Sequence, residues 1–432
     1  MKNNNLNLVR KLSDKINEAF DLASKRYENF GINVNNVVKR LLEIPISIHA
    51  WQGDDVGGFE RPNAELTGGG IIATGNYPGK ARNIQELQLD LETALTLIPG
   101  NHRINLHAIH GDFGGKLVER NQFTPEHFQC WIDWAREINV KIDLNSTLFS
   151  HPKADDGFTL SSKSKKIRQF WIEHIRRVRI ISAEIGKQLK NPCIHNIWIP
   201  DGLKDIPVDR KGYRDLLKNS LDEILQQRYP SSLMKDTIEG KLFGIGSEAF
   251  VVGSHEFYLS YAISNQLMLT LDSGHFHPTE SLGDKLSAIL PFVPEIMLHI
   301  SRGIRWDSDH VVILNDELIQ LAEEIVRSQA MGRIHLGLDY FDASINRVAA
   351  WVIGTRAVQK SLLYALLQPW EILKEYEENN QYFQRLALLE ELKTLPFGSI
   401  WDYLCLINNI PVGASWIKEV ENYEKIELGK RR

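Results

Sequence analysis

Cysteine is scarce in this 432-residue chain, with Cys130, Cys193 and Cys405 far apart. Their spacing builds neither a disulfide framework nor a zinc site, which fits a reducing compartment. There is no excess of positive charge: the formal net charge is −5, whereas nucleic-acid binders are usually basic. No run approaches the ~18 uninterrupted apolar residues of a membrane helix. The opening MKNNNLNLVRKLSD lacks the apolar stretch of a secretory leader. The expectation is a cytoplasmic protein with neither nucleic acid nor membrane as a partner. G-x-S-x-G, the phosphate-binding G-x-x-x-x-G-K-[ST] and C-x-x-C pairs are also missing, so serine hydrolase, NTPase and zinc-ribbon chemistries have no support.

What is present is an ordinary globular composition, 43% hydrophobic and 24% charged, arranged as an alternation. Short β-rich runs at 46–51, 102–109, 141–147, 193–201, 236–246, 267–275, 295–301 and 333–340 are separated by longer stretches of helical period. A helix over 4–29 is predicted to bury Leu8, Leu12, Ile16, Ala19 and Leu22. Residues 52–80, rich in Gly, Asn and Pro, read as a long irregular loop and a candidate active-site lid. From 342 onward only helices are expected. Eight strands alternating with helices predict an α/β fold, a (β/α)8 TIM barrel with an N-terminal helix and a helical C-terminal extension. The expected division is a catalytic barrel over 1–341 and an extension over 342–432, packing on the barrel or on a neighbouring subunit. A doubly wound sheet is the alternative, but no G-x-G-x-x-G opens a helix after the first strand.

Candidate chemistry gathers at the C-terminal ends of the predicted strands, where this fold keeps its active sites. His49, His107, Asn145, Trp198 with Asp201, Asp272 with His275, His299 and Asp339 all fall there. Between Asp272 and Asp309 the chain offers Asp272, His275, His277, His299, Asp307 and Asp309, a supply of oxygen and imidazole ligands that suits Mg2+, Mn2+ or Co2+. Asp307-Ser-Asp309, if extended, aims both carboxylates to one side; taken alone the tripeptide reads as an Asx-turn or helix cap, and together with His275 it reads as a metal site. His299 in an apolar run reads, taken alone, as a satisfied core histidine. Glu239 and Lys241, two apart on a strand, share a face. Trp51, Phe149, Trp198 and Trp306 near strand ends are core by default and, as a set around a polar pocket, suit sugar stacking and water exclusion.

HAWQGDDVGGFE (49–60), NLHAIHG (105–111), NIWIPDG (196–202), LDSGHFHPTE (271–280), RWDSDHVV (305–312) and GLDYFDASINRVAAWVIGTR (337–356) resemble the conserved blocks of the L-rhamnose isomerase family. The resemblance runs from the N-terminal helix to the C-terminal helices, with single-position departures such as His110. It implies a (β/α)8 aldose–ketose isomerase converting L-rhamnose to L-rhamnulose, the first step of L-rhamnose catabolism. The implied route is a metal-assisted 1,2-hydride shift after ring opening. It further implies a homotetramer and two divalent ions, typically Mn2+, with Co2+, Zn2+ or Mg2+ as substitutes. By the same resemblance Glu239, Asp272, His299 and Asp339 hold a structural ion, and His275, Asp307 and Asp309 a catalytic one. His107 assists ring opening, Lys241 neutralises developing charge, Asp339 belongs to the catalytic group as well, and Trp51, Phe149 and Trp198 wall the pocket. A related barrel isomerase or epimerase with another aldose as substrate is the alternative within the fold.

Overall fold

Eight parallel strands close on themselves in sequence order: β1 (Ile46–His49), β2 (Arg103–His107), β3 (Lys141–Asn145), β4 (Cys193–Trp198), β5 (Met234–Glu239), β6 (Met268–Asp272), β7 (Ile296–Ile300) and β8 (Ile334–Leu338). The computed structural model describes residues 2–60, 73–241, 249–277, 279–304 and 308–431, with side chains from residue 12 onward. The expected (β/α)8 barrel is what the chain forms. Closure removes every sheet edge, so the strands can be apolar towards the helices without exposing a pairing edge. Ile48, Ile104, Leu106, Ile142, Leu144, Leu269, Leu271 and Leu298 are each at most 1% exposed. Fully burying such a side chain contributes roughly 1.5–3 kcal/mol. Inside the barrel, Ile194, Met268 and Met297 pack together as an apolar plug below the polar layers.

The long helix Lys165–Leu189 shows how its sequence sets its place. Ser164 caps it, accepting from the Ile167 N–H, and Phe170, Trp171, Ile175, Val178 and Ile181 recur on the buried face. Lys190, left-handed at φ 52°, ends it. The first helix, Lys2–Glu28, departs from expectation. It buries Ile16, Phe20, Ala23 and Tyr27, while Leu12 and Leu22 are 56% and 59% exposed. Its face is chosen by the helix Phe397–Ile407, against which Phe20 stacks on Tyr403 at 3.7 Å between ring centroids. The helix Val34–Leu42, capped by Asn33 and burying Val34, Val38 and Leu41, is an element the periodicity does not announce.

After β8 come helices Arg347–Leu366, Trp370–Glu378, Tyr382–Leu392, Phe397–Ile407 and Trp416–Ile426. The first packs on helices Asp316–Arg327 and Ile84–Leu95 and so closes the outer ring. The last segment folds back across Ile84–Leu95. Arg431 grips the buried Asp90 at 2.6 and 2.9 Å, and the Tyr423 hydroxyl donates to the same carboxylate at 2.5 Å. Gly79, at φ +95°, sits under Leu428, where a Cβ would come within 2.7 Å. The start of the predicted lid is tied down: Arg347 pairs with both Asp55 oxygens at 2.7 Å, and Gln52, Asp54 and Glu60 are buried. Most of GGGIIATG (68–75) lies outside the described residues.

At the N-terminal mouth of the barrel, Glu295 accepts from Lys235 at 2.6 Å and His335 at 2.5 Å. Burial pushes the Glu295 carboxyl up, but the His335 and Lys235 hydrogen bonds outweigh it and bring it from an ordinary 4.5 down to about 2. A carboxyl depressed on folding stabilises the fold fully above the higher value and loses that contribution as pH falls through the lower one. Glu295→Gln is therefore expected to flatten the loss of stability between pH 4.5 and about 2, followed by ellipticity against pH. An unaltered acid limb would show that the pair contributes nothing there.

Candidate metal centre

Strand register brings four ligand side chains to one level. Asp272 on β6 pairs with His299 on β7, His299 pairs with Gly337 on β8, and Glu239 closes β5. One ligand atom from each of Glu239, Asp272, His299 and Asp339 lies within 4.8 Å of all the others. Nδ1 of His299 is 3.2 Å from Asp339, 3.5 Å from Glu239 and 3.9 Å from Asp272. Even so, neither ring nitrogen of His299 makes a hydrogen bond of acceptable geometry among the described residues, although the residue is 1% exposed. Gly337 leaves room for this imidazole: a Cβ there would stand 3.4 Å from His299 Cδ2 and 2.7 Å from Met297 Cε. His299 is thus not the satisfied core histidine that its apolar run suggests.

The electrostatics say what the cluster suits. Burial pushes the Glu239 carboxyl up, but the charge of the nearby His299 and the contact with His275 outweigh it and hold it below its ordinary range. Burial lowers the His299 pKa, yet Glu239 and Asp339 together carry it well above ordinary. Carboxylates buried this closely repel one another unless a cation joins them. A proton on His299 supplies one positive charge and a divalent ion supplies two. Three carboxylates and an imidazole, with no sulfur, fit Mn2+ or a similar ion.

Neighbours hold these side chains in place, as a metal site would require. Asn196 donates to Glu239 at 2.5 Å and to Asn145 at 2.9 Å, and Asn145 donates to Asn105 at 2.8 Å. Trp51 Nε1 donates to Asp339 at 3.0 Å, and the Gly274 N–H to Asp272 at 2.6 Å. His275 directs Nδ1 at the Gly240 carbonyl, 2.8 Å away, and at Glu239, 3.2 Å away. Asp309 is half-buried at φ +45°, so the extended D-x-D does not hold at that residue. Asp307 and Trp306 lie outside the described residues. His277 is exposed and bonded to Thr279, away from the cluster.

Beside the carboxylates runs a strip of rings. Trp51 meets His107 at 4.5 Å, His107 meets Phe149 at 5.3 Å, Phe149 meets Trp198 at 5.7 Å and Trp198 meets His275 at 6.3 Å. Lys241 Nζ stands 4.9 Å from the centre of the Trp198 ring, a cation–π contact. Val56 and Phe341, which sequence reasoning passes over, pack into the same group. Two strand-end residues do not converge on the pocket. His49 is enclosed against the Tyr340 carbonyl, and burial lowers its pKa to about 3, so it is neutral filler beneath Trp51. Asp201 is spent on the Thr159 and Ser161 amides and hydroxyls, at 2.5–2.9 Å, and organises a loop.

The family model for L-rhamnose isomerase (RhaA) matches residues 14–431. The chain belongs to the L-rhamnose isomerase family. An L-rhamnose isomerase of Rhodopirellula baltica is 53% identical over 416 residues, covering 96% of this chain and 97% of that one. One from Bacteroides thetaiotaomicron is 54% identical over 421 residues, 98% of this chain and 100% of the relative, and one from an Enterobacter species is 52% identical over 420, at 97% and 100%. Among solved structures, an L-ribulose 3-epimerase aligns at a TM-score of 0.46 and 9% identity, over 74% of this chain and 95% of that one, too distant to bear on function. As a member of the L-rhamnose isomerase family, the chain is an isomerase acting on a sugar, and its buried acidic and imidazole donors give it a place for a metal ion. No helix of the described residues is long and apolar enough to cross a membrane.

Proposed function

We propose that the chain interconverts L-rhamnose and L-rhamnulose, opening L-rhamnose catabolism, with two divalent ions, Mn2+ foremost, in a cytoplasmic homotetramer. The observation that carries this reading is the His299 imidazole enclosed by Glu239, Asp272 and Asp339 at one end of a strip of aromatic rings. Glu239, Asp272, His299 and Asp339 would hold one ion, and His275, Asp307 and Asp309 the other. Divalent ions held there would supply positive charge to the oxygens of the open-chain sugar. Residues 342–432 are the helical extension, packing on the barrel or on a neighbouring subunit.

The closed sugar must first open, with O1 losing a proton and the ring oxygen gaining one. His107, kept neutral because burial, with His110 and His299 nearby, drives its pKa well down, is the group for that exchange. Isomerisation then removes the proton from O2 and moves the hydrogen of C2, with its electron pair, to C1. C2 becomes the carbonyl and O1 takes up a proton. Asp339, whose side chain is the most exposed of the four at 19%, is the carboxylate for the O2 proton, and Lys241 offsets negative charge on oxygen. Trp51, Phe149 and Trp198 keep water from the carbons between which hydrogen passes.

Dialysis against EDTA is expected to abolish L-rhamnose turnover and Mn2+ to restore it. Metal-free protein should also melt lower, since an ion at 100 times its Kd stabilises the folded chain by about 2.7 kcal/mol. Full turnover by metal-free protein would falsify the reading. The same assay in D2O should give L-rhamnulose with little deuterium at C1; extensive wash-in would replace the hydride route with proton exchange through an enediol.

A further inference from the structure

We propose that Thr147 is a positioning residue that fixes the tautomer of His107, keeping the proton of the neutral ring on Nε2. The inference rests on the reading of His107 as the ring-opening group and specifies how that group is set.

Thr147 lies two residues beyond β3 and has φ +58°, a left-handed conformation that a β-branched residue rarely takes. Buried groups outside the pocket hold it there. Arg120 donates to the Thr147 carbonyl at 2.8 Å, to Phe149 at 2.7 Å and to Ser150 at 3.1 Å. His174 bonds the Ser146 carbonyl, and the Ser146 hydroxyl meets His195 Nε2 at 2.7 Å, with His195 Nδ1 set by Asp236 at 2.9 Å. A backbone strained at a site and constrained from several sides points to use.

The outcome is a hydroxyl turned towards β2. Thr147 Oγ1 accepts the Ala108 N–H at 3.0 Å and lies 2.8 Å from His107 Nδ1. Its one proton has two acceptors in reach, His107 Nδ1 at 2.8 Å and the Asn145 carbonyl at 3.4 Å, and the first is the better bond. Nδ1 is then an acceptor, and a neutral imidazole carries its proton on the other nitrogen. The rings of Trp51 and Phe149 meet His107 edge-on and offer no competing acceptor. Nε2 has no hydrogen-bond partner among the described residues and is left for the sugar. With this tautomer Nε2 gives its proton to the ring oxygen as the bond from that oxygen to C1 breaks, then takes back the proton of O1, so the imidazole ends as it began. The opposite tautomer would set a nitrogen lone pair against an oxygen lone pair.

Solid-state 15N spectra of the full-length protein, labelled at histidine and loaded with Mg2+, test this, with His107 assigned by its loss in His107→Asn. Wild type and Thr147→Ser are expected to show His107 protonated at Nε2, and Thr147→Val to show Nδ1 protonation or a mixture. Turnover of L-rhamnose by Thr147→Val should fall about tenfold or more in kcat with little change in KM, and Thr147→Ser should recover most of it. Thr147→Ala stands in should the valine variant fail to fold. Nδ1 protonation in wild type, a tautomer unmoved by valine, or equal losses in serine and valine would each overturn the proposal. His107→Asn protein working at the full rate would instead remove the ring-opening role itself, whatever the spectra show.

Discussion

Glu239→Gln is expected to lower turnover on the order of 10³-fold or more, the scale on which a placed charge in a dry site acts. It should also strip bound metal. Glu239 is the carboxylate that touches both proposed ligand sets: Oε1 is 3.2 Å from His275 Nδ1 and 3.5 Å from His299 Nδ1, while Oε2 accepts from Asn196 at 2.5 Å. Glutamine keeps the volume and an acceptor for Asn196, so the barrel should stand. What it loses is one negative charge, and its amide would turn a donor towards two imidazoles. Metal content by mass spectrometry, turnover at saturating Mn2+ and the near-ultraviolet circular dichroism separate the outcomes. Unchanged metal content with unchanged turnover would show that Glu239 is not a ligand. A lost near-ultraviolet signal would make its role architectural.

The second large effect is on stability. Arg120→Met is expected to cost about 3–5 kcal/mol, as breaking a buried ion pair from one side does. Arg120 is 2% exposed; it binds Glu60 at 2.8 Å and three backbone carbonyls at 2.7–3.1 Å, and stands 5.8 Å from the Trp171 ring. Methionine fills the space but leaves the Glu60 carboxylate and those carbonyls without their donor. The urea midpoint measures the loss, and activity should fall with it because Thr147 and Phe149 hang from the same guanidinium. A loss below about 1 kcal/mol would mean that water replaces the guanidinium without strain. Arg120→Lys should recover only part, since an ammonium cannot span the fork.

Much of this molecule is legible in its sequence, and what is not has a common cause. Strands and helices follow from β-branched runs and a 3.6-residue period, which are local properties. Leu12 and Leu22 misdirect the first helix because its buried face is set by Tyr403, far along the chain. Asp272, His299 and Asp339 stand out as polar residues closing apolar runs, and strand register alone makes them neighbours. Asn196 carries no such mark: asparagine within a strand reads as a weak strand former, and only the closed barrel shows it holding Glu239. Thr147 and Arg120 are silent for the same reason, since one acts through a left-handed backbone and the other through carbonyls. Asp309 shows the converse, a motif whose geometry depends on a φ the motif does not specify.

The clamp of Arg431 on Asp90 has a bearing on the order in which the protein is built. The two residues are 341 positions apart, and at about 5–20 residues per second the interval between making them is roughly 17–70 s. Through that interval helix Ile84–Leu95 exists without the guanidinium that neutralises its buried carboxylate, and burial pushes the Asp90 carboxyl up even in the finished fold. The nascent helix therefore either leaves Asp90 in water or keeps it protonated. Its docking becomes final only when Tyr423 and Arg431 arrive, so the seal on this helix forms well after the helix itself is made.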